Sequence, residues 1–254
     1  MSGQEPLRTQ QTAERLSTRQ ALAALTNAQK TSKGAPAYSR FINRRLGRLF
    51  AAWAYTAGSR PNHVTAGSAA CTFSGIALLA AGPLSTLTAI LVASLLVVGY
   101  ALDSADGQLA RLQGSGSAAG EWLDHTVDAF KVGTIHLAVL VCWWRSYDLE
   151  PLWYLVPLAF QAGATVHFFA TLLMDQLRRA RRVDGGTRLA GDGHSSVLYS
   201  LAVLPTDFGL LCVLFLLLAA PPAFTAAYTL LAVLTWAFLV LALGKWYREV
   251  KSWN

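Results

Sequence analysis

Apolar residues run in long blocks along most of the chain, and six blocks approach the roughly 20 residues that a helix needs to cross a bilayer: 65–82, 84–102, 123–144, 152–174, 197–219 and 223–244. Only the turn at Gly82-Pro83 separates the first two. Ahead of them the pattern changes. Tyr38, Phe41, Ile42, Leu46, Leu49, Phe50 and Trp53 recur at helical spacing against Arg40, Arg44, Arg45 and Arg48, the pattern of an amphipathic helix on a membrane surface. Residues 1–34 are rich in Gln, Thr, Ala and Arg and are expected to be a flexible or loosely helical tail. The predicted architecture is an all-α integral membrane protein: tail 1–34, surface helix 35–60 and a six-helix membrane domain 61–250. Arg60-Pro61 breaks the surface helix, and Asn62 or Thr65 is the expected cap of the first span.

Composition removes the soluble alternative. The chain is 54% hydrophobic and 14% charged, with a mean hydropathy of +0.38, far too apolar for an ordinary soluble domain of 254 residues. The basic residues set the orientation. Ten of 21 Lys and Arg precede the first span, Arg111 lies between spans two and three, Arg178, Arg179, Arg181, Arg182 and Arg188 lie between four and five, and Lys245, Arg248 and Lys251 follow the sixth. Arg145 alone falls in a connection on the other side, so both termini and the Arg111 loop are expected in the cytoplasm, in a multi-pass protein of the cell (cytoplasmic) membrane. The net charge of +7 is thus a topology signal; without a nucleic-acid motif it excludes no membrane role and argues for no nucleic-acid partner. The polar start 1–32 lacks the apolar core of a cleaved signal peptide, so insertion is expected to use the first span. Cys71, Cys142 and Cys212 lie in separate spans without metal-ligand spacing and are expected to pack.

Candidate chemistry concentrates where span two runs into span three. If the second span continues as a helix past Leu102, then Asp103, Asp106 and Gly107 share one face. Gly120, Asp124 and Asp128 follow at steps of four on the next helix, and Gly114 and Gly116 between them let the chain turn back. Four carboxylates then converge. Such a group repels itself unless a cation neutralises it, and oxygen ligands suit Mg²⁺, Mn²⁺ or Ca²⁺ rather than zinc. Arg111 supplies a cationic fork suited to phosphate. A hard metal among carboxylates beside an Arg fits phosphoryl chemistry, with one aspartate free to take a proton from an attacking hydroxyl.

Asp103, Asp106, Gly107, Ala110, Arg111, Gly120, Asp124 and Asp128 match all fixed positions of D-x2-D-G-x2-A-R-x8-G-x3-D-x3-D, and the segment thereby resembles the signature of the CDP-alcohol phosphotransferase family. At background frequencies of about 5–10% per residue, a chance match at one given start is on the order of 10⁻⁹. The likeness extends over about residues 34–250, including Pro61-Asn-x-Val-Thr65 at the first span. It implies that Asp103, Asp106, Asp124 and Asp128 hold one or two divalent ions, Mg²⁺ or Mn²⁺, on the CDP pyrophosphate. It implies that Asp103, Asp106, Gly107, Ala110, Arg111 and Gly120 contact CDP, and that Asp128 is the base that deprotonates the acceptor hydroxyl before it attacks the β-phosphorus and expels CMP. A homodimer is implied as well. The donor is most often CDP-diacylglycerol. The run from Lys33 to Leu46 resembles members acting on inositol phosphate or related polyol phosphates. Glycerol phosphate, inositol phosphate, serine and other polyols stay open as acceptors.

Around this centre, Lys131 is expected to neutralise the aspartates, contact an acceptor phosphate or snorkel. Arg178, Arg179, Arg181, Arg182 and Arg188 are candidates for the same phosphate or plain topology signals. Asp207 lies inside span five near Pro205, lining a cavity or a subunit contact. His125, His136 and His167 are expected to pack, His125 pointing off the acidic face. Trp143, Trp144, Tyr147, Trp153, Tyr154, Trp246, Tyr247 and Trp253 read as interfacial anchors. The competing function is a transporter that uses the aspartates as a cation site.

Overall fold

The computed structural model describes residues 16–27, 35–183 and 197–253, and among them there is no strand. The described residues form nine α-helices in order: α1 (Thr18–Asn27), α2 (Arg44–Thr56, entered through one π-helical turn, Ser39–Asn43), α3 (Pro61–Ala81), α4 (Thr86–Gln113), α5 (Ala118–Ser146), α6 (Leu155–Val183), α7 (Val197–Ala202), α8 (Phe208–Leu214) and α9 (Pro221–Lys251). Among the described residues, α3, α4, α5, α6 with the turn before it, and α9 are long and apolar enough to cross a membrane, five helices rather than the expected six.

The expected fifth span, 197–219, is broken into α7, a 3₁₀ turn at Leu204–Thr206, α8 and a second 3₁₀ turn at Phe215–Leu217. Pro205 has no N–H to continue a helix. Asp207 then takes an extended conformation (φ −82°, ψ 121°) and accepts a hydrogen bond from the Gly209 N–H at 2.9 Å, which starts a new helix. The carbonyl left free at Pro205 is satisfied by the Thr235 hydroxyl at 3.1 Å. Irregular backbone survives at membrane depth when protein covers it and pairs its polar atoms.

Small residues bring the helices together. The Ser68 hydroxyl donates to the Gly99 carbonyl at 2.8 Å, and a Cβ on Gly99 would stand 2.2 Å from the Thr72 hydroxyl oxygen, so α3 and α4 touch backbone to side chain. α3 also packs on α5. α6 and α9 run side by side in the same direction, joined by Trp236 Nε1 donating to Ala159 O at 2.9 Å and by Arg178 to Glu249 farther along both helices. Trp143 and Tyr147, expected at the interface, are instead fully packed with Phe215, Phe224 and Tyr228 in the main core, whereas Trp144 and Tyr247 are exposed as anchors should be. The Tyr147 hydroxyl explains its burial by donating to Leu218 O at 2.7 Å. Cys142 and Cys212 are buried and all three cysteines are free, as packing residues.

A second, smaller core joins α1, α2, α3 and α4 through Ala21, Leu25, Ala51, Ala52, Ala54, Val64, Ala105 and Leu109. Residues 18–27 of the expected tail therefore form a docked helix. In α2 the buried face is made of small residues, Gly47, Ala51 and Ala54, while Leu49 and Trp53 stand exposed on the other side, as does Ile42 in the turn before it. A Cβ on Gly47 would lie 2.7 Å from both Gln108 Nε2 and Ser104 Oγ, on the helix that carries Asp103 and Asp106. Gly47→Val is accordingly expected to cost about 1–3 kcal/mol by overpacking and to lower the unfolding midpoint in detergent; an unchanged midpoint would contradict so close an approach.

Candidate active site

Both acidic segments lie on helix ends that flank one tight connection. Ser85 caps α4 by accepting from the Thr88 N–H at 3.1 Å, and the helix runs unbroken through Asp103, Asp106, Ala110 and Arg111 to Gln113. Gly114, at φ 60°, ends it in the left-handed region that favours glycine. Three residues later the Ser117 hydroxyl accepts from Gly120 N–H at 3.1 Å and starts α5, which carries Asp124 and Asp128. The expected continuation of span two and the glycine turn are both present.

The four aspartates form one electrostatic group, with Asp106, Asp124, Asp128 and Lys131 all within coulombic reach of Asp103. Their individual partners differ. Asp106 is buried, and its Oδ2 accepts from the Thr65 hydroxyl at 2.6 Å while its Oδ1 accepts from Gly107 N–H. Thr65 therefore does not cap α3, and neither does Asn62. That helix starts at Pro61 with no side-chain cap, and Asn62 Oδ1 instead faces Gly120, 3.4 Å from where a Cβ would stand. Arg111 lies over Gly107, its Nη1 3.5 Å from the corresponding point there.

Asp124, His125 and Asp128 each bring one ligand atom within 4.8 Å of the other two. His125 Nε2 also stands 3.7 Å from Glu121 Oε1, which sets it at the edge of the acidic face rather than off it. Only the step of one residue from Asp124 could have signalled this. Lys131 pairs with Asp128 Oδ1 across one helical turn and reaches Asp103 Oδ2 at 3.9 Å on the facing helix. Two carboxylates and an imidazole in such proximity, with two more carboxylates adjacent, form a donor set suited to a hard divalent ion.

Of the other predicted residues, Arg179 reaches the edge of this group through Glu121, and the remaining described ones lie apart from it. Arg178 makes two 2.7 Å hydrogen bonds to Glu249, Arg179 pairs with Glu121, and Arg181 lies over the Trp253 ring at 5.2 Å. The side chain of Arg182, Arg188 and the rest of that loop are outside the described residues. His136 packs as expected, its Nδ1 2.7 Å from the Tyr228 hydroxyl and its ring stacked on Phe160; His167 lies against Phe238 and Trp246. Asp207 lines a cavity of about 250 Å³ beside Phe160 and His167, as one of its two expected roles had it, and it also accepts from Ser39 N–H at 2.7 Å and so ties the entry to α2 onto the start of α8. The Tyr38 ring covers Gly209 so closely that a Cβ there would fall 1.9 Å from it, and Tyr38 stacks on Tyr100, which meets Phe208 edge to face. A groove of about 740 Å³ runs between α5 and α6 from Glu121 and His125 past Trp122 and Phe130 to Phe168.

The model of the family described as CDP-alcohol phosphatidyltransferase matches residues 59–244, a stretch that contains all four aspartates, Thr65 and Lys131. A comparison with curated proteins gives no match.

Proposed function

Since the chain belongs to the CDP-alcohol phosphatidyltransferase family and is accordingly a phosphotransferase of phospholipid synthesis, we propose that it transfers a phosphatidyl or similar phospho-alcohol group from a CDP-alcohol such as CDP-diacylglycerol to an acceptor hydroxyl and releases CMP. The observation that carries this reading is the meeting of Asp103, Asp106, Asp124 and Asp128 beside Arg111 on two facing helix ends. Mg²⁺ or Mn²⁺ held by these carboxylates would neutralise the pyrophosphate and the charge that develops as CMP leaves. The protein's own groups do the rest. Gly107, Ala110 and Gly120 present little bulk to CDP, and Arg111 lies where it can fork a phosphate. Asp128, whose Oδ1 is engaged by Lys131, takes the acceptor proton on Oδ2. The acceptor oxygen then bonds to the β-phosphorus as the bond from that phosphorus to the CMP oxygen breaks.

The groove beside His125 supports a lipid-linked donor, because its apolar lining starts at the flank of the aspartates. An anionic acceptor such as inositol phosphate or glycerol phosphate remains our reading of the Arg-rich segment 178–188, reached by exchange of Arg178 or Arg179 from its carboxylate. We further propose six crossings with the site and both termini on the cytoplasmic side. The parallel course of α6 and α9 supports this, since the broken segment between them runs from Ser200, which accepts from Arg40, to Leu218, beside Tyr147.

The test is CMP release from CDP-diacylglycerol by purified protein with Mg²⁺ or Mn²⁺ across a panel of free and phosphorylated polyols. Acceptor-dependent CMP is expected. Metal flux across vesicles with no CMP from any donor would transfer the assignment to a cation transporter.

A further inference from the structure

Lys131 is 7% exposed, yet it is a cation set among the aspartates of the site. On one side stand Asp128, to which it is paired, and Asp103 at 3.9 Å. On the other side its ammonium faces aromatic rings, Phe208 at 4.9 Å and Tyr100 at 5.8 Å. The Tyr100 ring is itself stacked on Tyr38, which lies over Gly209 next to Ser39, whose N–H donates to Asp207. An ammonium held between two carboxylates and two aromatic faces is confined, and the faces favour the charge where it is. It fills the place between Asp103 and Asp128 that a second divalent ion would need.

From this we propose that Lys131 is a resident counter-ion that stands in for one of two possible metal ions, so that each chain binds one divalent ion and not two. The inference rests on the metal-dependent reading of the site. Asp103 and Asp128 are then bridged by a fixed single charge, and the open seat lies where Asp124 and His125 meet the other side of Asp128. A divalent ion between Asp103 and Asp128 would stand against the ammonium at a few ångströms, where like charges repel strongly.

Bound Mn²⁺ is counted by the electron paramagnetic resonance signal of the free ion during titration of the full chain in detergent, with CDP present. One ion per chain is expected for the wild type and for Lys131→Arg, and two for Lys131→Met. Two ions in the wild type, or one in Lys131→Met, overturn the proposal. Should Lys131→Met not fold, Lys131→Gln is counted in its place, with the same two expected and one overturning. No bound Mn²⁺ in any of them would overturn the metal-dependent reading as well, an outcome distinct from a count of two.

Discussion

Asp128→Asn is expected to lower acceptor-dependent CMP release by about 10²- to 10⁴-fold, the range that a positioned general base supplies. The substitution keeps the shape of the side chain on α5 and removes its ability to take a proton. Asp103, Asp106 and Asp124 remain to hold the ion, and Gly107 and Arg111 remain beside it. The loss should therefore fall on kcat, with the KM for the CDP-linked donor changed far less. Lys131 keeps Asp103 as a partner at 3.9 Å, so the variant is expected to fold. Steady-state kinetics over donor concentration check this, and a variant with wild-type kcat would remove Asp128 from the role of base.

Chelation is expected to have an effect as large. Excess EDTA should abolish acceptor-dependent CMP release, and Mg²⁺ or Mn²⁺ in excess should restore it. The reason is visible in the charges: four carboxylates stand together, and among the described residues Lys131 is the buried cation paired with them. An ion that binds the folded chain and not the unfolded one also stabilises it, by about 2.7 kcal/mol at a concentration 100 times its Kd. The unfolding midpoint should rise with added metal even without donor or acceptor. Full activity in EDTA, or a midpoint indifferent to metal, would remove the ion from the reaction.

The acidic centre was legible because helical spacing is a local property. Steps of three and four place Asp103 with Asp106 and Asp124 with Asp128, and Gly114 marks the turn; no distant contact is needed to see it. What stayed hidden depends on partners remote in the chain. Thr65 lies 41 residues from Asp106, and at its own position it resembles a helix cap. The break at Pro205 is masked by apolar neighbours, since hydropathy counts side chains and ignores a missing N–H. That α2 also buries its opposite, small-residue face against α4 is not legible in its hydrophobic pattern. Close packing against Ser104 and Gln108 selects Gly47 and leaves Trp53 outside. Lys131 was recognisable as a charge one turn past Asp128, but its aromatic enclosure comes from Phe208 on a segment that sequence alone reads as one continuous span.

The bond from Thr65 to Asp106 has a consequence for the entropy of binding. A carboxylate on a free rotor must give up that freedom when it meets a ligand, and the loss weakens affinity. Here the 2.6 Å bond to a neighbouring helix and the adjacent Gly107 N–H freeze the Asp106 rotor as the chain folds. Asp106 is thus preorganised, and the ordering that an incoming ion or nucleotide must impose is confined to the groups that have no such tether.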